Sequence, residues 1–188
     1  MKLFIFLFSA LLYSVSYAKN IPLENISSPG GELTYYIMGE EQRNDDEEYE
    51  GGKSIESMNH RTGEKIVLVT TKIDKDPEKS LYYLSGIKLS KNSKTLYFHS
   101  LAWATSYAIH SIDLETNKSK FITDGFLICI VSGGKYQDNL IIRQHRYFIP
   151  VGSHDHYYLY NKNGEYIGLI ADSDLTELEM LKKCESLG

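Results

Sequence analysis

The chain has 188 residues, enough for one domain with its own hydrophobic core. It contains 25 acidic and 20 basic residues, and seven of the acidic ones lie between Glu40 and Glu50, so the rest of the chain is nearly balanced in charge. Contacts to phosphates need a basic face, and this composition therefore argues against nucleic-acid binding.

The first 18 residues have the three-part layout of a secretory signal peptide. Lys2 precedes an apolar run, Leu3–Leu12, and small residues stand at the last and third-last positions before a cleavage site after Ala18. This ten-residue run is too short to cross a bilayer core, which needs about 20 residues, and no later segment approaches that length. We expect a mature chain of residues 19–188 that forms a single domain, has no membrane span and is exported to the periplasm.

A run of acidic residues at 40–50 is the strongest charge feature. It predicts a protruding hairpin that enters a basic cleft on another protein, where complementary charge speeds encounter and selects the partner. The alternative is a solvated loop without a partner. The Asp-x-Asp-x-Asp-Gly order of a calcium loop is not present in the run. The residues expected to bind a partner are Asp45, Asp46, Glu47, Glu48, Tyr49 and Glu50.

Tight-turn sequences recur along the chain, at Arg61–Glu64, Glu115–Lys118 and Lys162–Glu165. They start 54 and 47 residues apart, which is in the range of a blade repeat. Abundant Tyr, Ile and Thr, with only four prolines, favour strands between these turns.

This pattern predicts an all-β fold of three blade-like antiparallel β-meander units, which together resemble part of a β-propeller. The units span about 32–71, 81–123 and 126–171. The expected strands are 32–38, 53–59, 65–71, 81–89, 95–102, 106–114, 119–123, 126–131, 139–147, 155–160 and 166–171.

The chain has two cysteines, Cys129 and Cys184. An even number of cysteines in an exported protein favours a disulfide. In the alternative, Cys129 is a small buried apolar residue of a strand and Cys184 is a free thiol. The residues alone leave both interpretations open.

Three histidines form the best candidate for a metal site. His154 and His156 are two residues apart where the predicted strand 155–160 begins, and residues i and i+2 of an extended chain point to one face, so the two could share a metal ion. His145, on the neighbouring strand, is the candidate for a third ligand. The alternative is a solvated segment with no ligand.

The tail predicts a short amphipathic helix at about 174–185. Asp174 with Glu177 three residues later matches a capping box. Leu175, Leu178 and Leu181 then lie on one side at helical spacing. We expect this side to cover an exposed sheet edge; the alternative is a helix that docks on a partner.

The second unit resembles a repeat of the TolB-like and WD40-like β-propeller families. In that repeat a Ser-Pro-Asp-Gly turn, a Lys and an apolar strand precede an Asp-Leu-x-Thr-Gly turn and Leu-Thr. The matching residues are Ser90, Lys94, Leu96, Phe98, Ser100, Ile112, Asp113, Leu114, Thr116 and Thr123. The resemblance implies a twisted blade-like sheet and a role in binding envelope proteins, with no catalytic residue set.

The sequence contains no Gly-x-Ser-x-Gly, His-Glu-x-x-His or Cys-x-x-Cys motif. We therefore expect a non-catalytic exported protein-binding module without a cofactor. Its partner would be another envelope or secreted protein with a basic cleft, and the chain could be an immunity or inhibitor protein that acts on a toxin or a hydrolase. The alternatives are a metal-dependent hydrolase centred on His154 and His156, and an envelope-assembly scaffold.

Overall fold

The computed structural model describes residues 19–41, 51–103, 106–150, 152–172 and 175–187. The predicted signal peptide, residues 1–18, the acidic residues 42–50 and the predicted cap Asp174 lie outside the described residues. Among the described residues, no helix has the length and apolar character needed to span a membrane.

The described residues form three four-stranded antiparallel sheets followed by one helix. Each sheet is a meander in which strands that follow each other in the chain are paired, which confirms the predicted all-β, blade-like architecture. The first sheet contains β1 (Asn20–Ser27), β2 (Leu33–Glu40), β3 (Ser54–Asn59) and β4 (Lys65–Thr70). The second contains β5 (Ser85–Leu89), β6 (Thr95–Trp103), β7 (Ser106–Asp113) and β8 (Lys118–Asp124). The third contains β9 (Phe126–Ile130), β10 (Leu140–Phe148), β11 (Gly152–Tyr160) and β12 (Tyr166–Asp172), and the helix is α1 (Glu177–Glu185).

Strand β1 was not among the predicted strands. It pairs with β2 from Asn20↔Glu40 to Ser27↔Thr34, with a register shift beside Pro22. Proline interrupts a strand pattern in sequence, but it is tolerated at the edge of a sheet, where its missing N–H leaves no gap in a ladder. The first unit therefore begins about twelve residues earlier than predicted.

The strand predicted at 81–89 is also shorter than expected. β5 begins only at Ser85, and Leu81 and Leu84 instead form isolated bridges with Lys72 and Gly52. The reason is a positive φ at Tyr83, which interrupts extended backbone just before the strand.

The three sheets stack face to face, so the middle sheet is covered on both sides. Leu96 and Phe98 of β6 point into the core shared with the first sheet, whereas Tyr97 points into the core shared with the third. This explains why residues 96–100 are all buried in one strand. The core between the first and second sheets contains Tyr35, Ile37, Ile55, Val69, Leu84, Ile87, Leu96, Phe98 and Ile112. The core between the second and third contains Tyr97, Ile109, Ile122, Leu127, Leu140, Ile142 and Tyr160.

Each sheet is joined to the next by hydrogen bonds from backbone N–H groups to side-chain acceptors. The carboxylate of Glu24 in β1 accepts hydrogen bonds from the N–H groups of Gly86 and Ile87 in β5, at 3.0 and 3.2 Å. The Nε2 atom of His99 in β6 accepts one from the N–H of Leu127 in β9 at 2.9 Å. The donors are N–H groups of β5 and β9, the first strands of the second and third sheets. Without these acceptors the N–H groups would be buried without a hydrogen-bond partner.

Helix α1 covers the outer face of the third sheet, whereas the sequence analysis placed it over a sheet edge. Its inward residues, Met180 and Cys184, pack against Val131, Ile141 and Leu159. The reason is that these sheet residues are apolar on a face that no fourth sheet of the described residues covers, and α1 removes that face from water.

The predicted cap of α1 is wrong, and the predicted buried stripe is wrong for two of its three leucines, since only Leu175 packs against the core at the third sheet. The capping box consists of Thr176 and Glu179, not Asp174 and Glu177. Leu178 and Leu181 point to solvent, with 63% and 51% of their surface exposed. The covalent bond at Cys184 determines which side of the helix faces the sheet, and Met180, one turn earlier, lies on that side.

The structure joins Cys129 and Cys184, which the sequence left open. Their Cα atoms are 6.0 Å apart, and the bond links β9 to α1 across 55 residues. Beside it, the N–H of Ser132 donates to the carbonyl of Cys184 at 2.8 Å. The end of the helix is thus fastened to the third sheet by a covalent bond and by backbone hydrogen bonds.

Two histidines that the sequence analysis did not single out are buried on opposite faces of the middle sheet. Because His99 Nε2 accepts from Leu127, its proton is on Nδ1, which has no hydrogen-bond partner among the described residues. His110 Nε2 lies 3.0 Å from Ser100 Oγ, whose own hydrogen goes to the carbonyl of Ser80. Burial disfavours the charged ring and lowers the pKa of both histidines to about 4.

We expect the free energy of unfolding to fall as the pH falls from about 6.5 towards about 4. In this window the unfolded chain binds protons on both histidines and the folded chain does not, because the folded pKa values lie below that of a free histidine. Each histidine accounts for up to about 3 kcal/mol of the loss. Urea unfolding at several pH values measures it, and the double variant His99→Gln/His110→Gln should have a shallower pH dependence. Parallel curves for the two proteins would contradict this assignment.

Candidate functional site

The connections between the second and third strands of all three sheets lie at the same end of the strands. β1, β5 and β9 all begin at this end, so the β2–β3, β6–β7 and β10–β11 connections emerge there together. We call it the hairpin end and define it as residues 51–53, 81–84, 101–103, 106–107 and 147–150. The opposite end, with residues 28–32, 60–64, 115–118 and 161–165, is the turn end.

Backbone contacts hold the pieces of the hairpin end together. Gly52 and Leu84 form an isolated β-bridge, which ties the β2–β3 connection to the segment before β5. The N–H of Leu101 donates to the carbonyl of Tyr82 at 2.7 Å, and that of Gly125 to the carbonyl of Tyr107 at 2.8 Å. The end is therefore a continuous surface across the first two sheets and the start of the third.

The acidic run leaves and rejoins the fold at the hairpin end. On one side, the N–H of Glu41 donates to the carbonyl of Lys19 at 2.9 Å. On the other, the N–H of Lys53 donates to the carbonyl of Met38 at 2.7 Å, and its ammonium group lies 2.7 Å from the carboxylate of Glu40. The proposed partner-binding residues Asp45 to Glu50 themselves lie outside the described residues.

Apolar side chains are exposed at the same end. In the β10–β11 hairpin, Tyr147 and Ile149 have 73% and 86% of their surface exposed, and Phe148 is exposed beside them. Tyr82 and Leu101 are exposed near the first two sheets. A cluster of large exposed apolar side chains on one surface is typical of an interaction site. This hairpin was not among the predicted binding residues, although Tyr-Phe-Ile-Pro between two strands is an unusually apolar connection.

A cavity of about 320 Å³ opens where the second and third sheets meet at this end. The guanidinium carbon of Arg143 lies 5.6 Å from the centre of the Phe126 ring, a cation–π distance. Asp155 accepts a hydrogen bond from His145 at 2.7 Å and lies 3.7 Å from Arg143. The cavity is lined by Ser106, Tyr107, Gly125, Phe126, Arg143, His145 and Asp155. Such a mixture of aromatic surface and charged groups suits polar and aromatic side chains of a protein partner.

The structure does not bring the three candidate metal ligands together. His145 is opposite Asp155 in the ladder and shares its face, whereas His154 and His156 flank Asp155 and point to the other face. His156 Nδ1 lies 3.0 Å from a carboxylate oxygen of Asp172, and the rings of His154 and His156 are 6.3 Å apart. Within the described ranges, no group of three His, Cys, Asp or Glu residues is placed to hold a metal ion.

A polar network fixes the hairpin end of the third sheet against the second. Arg146 forms a bidentate ion pair with Asp124, with nitrogen–oxygen distances of 2.5 and 2.9 Å. The buried amide of Gln144 donates to the carbonyl of Asp124 at 2.7 Å and accepts from the hydroxyl of Tyr160 at 2.8 Å. Burial raises the pKa of Asp124, but the hydrogen bond and charge of Arg146 outweigh it, so the pKa is lowered and the carboxylate stays charged. No sequence motif predicts the contacts of Asp124, because Gln144 and Arg146 lie 20 and 22 residues from it in the chain.

No family model and no curated protein matches the sequence. Solved structures do have similar folds. The β-propeller domain of the Trilobed protease from Pyrococcus furiosus, which has an open velcro topology, is 17% identical with a TM-score of 0.54, over 85% of this chain and 46% of that one. An acylaminoacyl peptidase in complex with Z-Gly-Gly-Phe-chloromethyl ketone is 13% identical with a TM-score of 0.54, over 83% of this chain and 26% of that one. The Pyrococcus horikoshii acylaminoacyl peptidase is 14% identical with a TM-score of 0.53, over 84% and 26%.

At these identities the similarity concerns the fold alone. The chain spans less than half the length of each of these proteins. Their similarity supports a propeller-like fold without assigning the chain to a particular repeat family. The described residues thus form three blades of a β-propeller-like stack.

Proposed function

We propose that this chain is a non-catalytic binding module that acts outside the cytoplasm on another exported protein, through its hairpin end. The observation that carries the proposal is the position of two features on one surface. The exposed apolar side chains of the β10–β11 hairpin lie at the same end of the fold as both attachment points of the acidic run.

The two features have different physical roles in binding. Large, stiff side chains such as Tyr147 and Ile149 act as anchors that are buried on contact and supply most of the binding energy. The acidic run, which carries six net negative charges over residues 40–50, raises the rate of encounter with a positively charged partner. The partner of this proposal therefore has a basic cleft with an apolar floor.

In its specific form, the chain is an immunity or inhibitor protein that blocks a toxin or hydrolase by filling its basic cleft. The signal-peptide pattern of residues 1–18 and the disulfide between Cys129 and Cys184 support export, since disulfides persist in oxidising compartments. A propeller-like stack supports a binding role in general, because its loops form a broad surface on a rigid scaffold.

Removing the apolar anchors should weaken binding strongly. The variant Tyr147→Ser/Ile149→Ser should bind the partner about 30-fold more weakly, a loss of about 2 kcal/mol, because the exposed pair is buried only in the complex. The partner is first captured from periplasmic extract with the mature chain and identified, and its affinity is then measured by calorimetry. Equal affinity for the variant and the unaltered chain would exclude the hairpin from the interface.

Neutralising the acidic run should mainly slow association. With Asp45→Asn, Asp46→Asn, Glu47→Gln and Glu48→Gln, we expect an association rate about tenfold lower at low salt and a smaller difference at high salt. Surface plasmon resonance measures both rates. The control neutralises four acids at the turn end, Glu32, Glu64, Glu115 and Glu165, and should leave the association rate nearly unchanged. Equal slowing in both variants would show that only net charge matters and not its position.

The zinc content of the purified protein distinguishes a non-catalytic module from the alternative, a metal-dependent hydrolase. Because His145 points away from His154 and His156, we expect purified protein to contain far less than one zinc ion per chain. Mass spectrometry of the metal content measures this for the unaltered chain and for His156→Ala. Stoichiometric zinc that is lost in His156→Ala would support the hydrolase.

A further inference from the structure

The tight turns that join the third and fourth strands of the three sheets, all at the turn end, are held in the same way. In each turn, a side-chain oxygen of the first residue accepts hydrogen bonds from two backbone N–H groups further along the turn, at 2.8 to 3.1 Å. The accepting residues are Asn59, Asp113 and Asn161. Because this first residue fixes the turn, the residues after it are not needed for the same purpose.

One residue of each turn has a positive φ, and only in the second sheet does it have a side chain. Gly63 and Gly164 have φ values of 76° and 90°, and Asn117 has 55°. Glycine adopts this conformation without strain, and Asn is one of the few other residues that tolerate it. A Cβ atom at Gly63 would have no neighbour within 4 Å, so this position of the turn opens to solvent. The second sheet therefore presents an amide group where the other two sheets present none.

Asn117, Lys118 and Ser119 form an Asn-x-Ser sequence, the recognition sequence of N-glycosylation in exported proteins. Residues 115–120 are all exposed. Neither the amide of Asn117 nor the hydroxyl of Ser119 has a hydrogen-bond partner among the described residues. Ser119 lies in β8, the outermost strand of its sheet, so this segment is open on the side away from β7. Both groups that the modification needs are thus accessible in the folded chain.

A second Asn-x-Ser sequence, residues 25–27, lies within strand β1. There the backbone is paired with β2, and the hydroxyl of Ser27 lies 2.9 Å from the hydroxyl of Thr34. The serine of this sequence is therefore already engaged, and its asparagine lies in a paired strand and not in a turn. The geometry favours Asn117 over Asn25 as the acceptor of a glycan.

We propose that Asn117 is N-glycosylated after export, an inference that rests on the export part of the proposed function but not on the hairpin end as a binding surface. The donor is a glycan joined to a membrane lipid through pyrophosphate. The amide nitrogen of Asn117 forms a bond to C1 of the first sugar, the bond from C1 to the pyrophosphate oxygen breaks, and the amide gives up one proton to a base of the transferase. Glu115 stands two residues before Asn117, where bacterial transferases require an acidic residue. A glycan at the turn end leaves the hairpin end open to a partner.

The test is intact-mass spectrometry of the chain purified from the periplasm of the cells that make it, followed by mapping of its proteolytic peptides. We expect the mass of the mature chain plus one glycan, on the peptide that contains Asn117. Asn117→Gly should have the mass of the bare chain, with the turn residue that the other two sheets have. Ser119→Ala should also lose the glycan although it keeps Asn117, whereas Ser119→Thr should retain it. Asn163→Gln, in the corresponding turn of the third sheet, is the matched control and should stay glycosylated.

The same spectra separate a failure of this inference from a failure of export. A chain that lacks residues 1–18 and carries no glycan would overturn the glycosylation and leave export standing. A chain that still carries residues 1–18 would contradict export and this inference together. A glycan on Asn25, or one that persists in Asn117→Gly, would overturn the assignment to Asn117.

Discussion

The structure depends on one constraint: a four-stranded sheet with apolar side chains on both faces must have both faces covered. The middle sheet meets this with a sheet on either side, and residues 96–100 of β6 are buried in succession as a result. The third sheet meets it with the second sheet on one face and with α1 on the other. The short helix is held there by the Cys129–Cys184 disulfide and by the hydrogen bond between Ser132 and Cys184, besides its own apolar contacts.

Stacking faces together leaves the ends of the strands free for function. The cores between the sheets need closely matched side chains. The sequences of the connections at the hairpin end are constrained only by the positions at which the strands end. This explains how the exposed residues Tyr147 and Ile149 can lie only three and five residues after Gln144, whose bond to Asp124 helps to fix the third sheet against the second. The fold supplies a rigid base, and the connections supply the surface that we propose binds a partner.

The repeat of turns was sufficient to predict three antiparallel units, because a tight turn needs particular residues and hydrophobic runs between turns set the strand lengths. Other features depend on contacts that are distant in sequence. Strand β1 contains Pro22, and a strand tolerates a proline only at certain positions, such as the edge of a sheet. The sequence alone does not show that this strand is at an edge. The side of α1 that faces the sheet depends on the bond at Cys184, so helical periodicity selected Leu178 and Leu181 instead.

For the candidate site, alternation along β11 correctly placed His154 and His156 on one face, but only the register with β10 shows that His145 lies on the other.

Helix α1 completes the third sheet by covering its outer face. Amide hydrogen exchange of the mature chain, with and without residues 175–188, tests it most directly. Removing these residues should lower the protection of β9–β12 far more than that of β1–β4, because only the third sheet loses its cover. Equal protection of the third sheet in both proteins, or an equal loss across all three sheets, would contradict it.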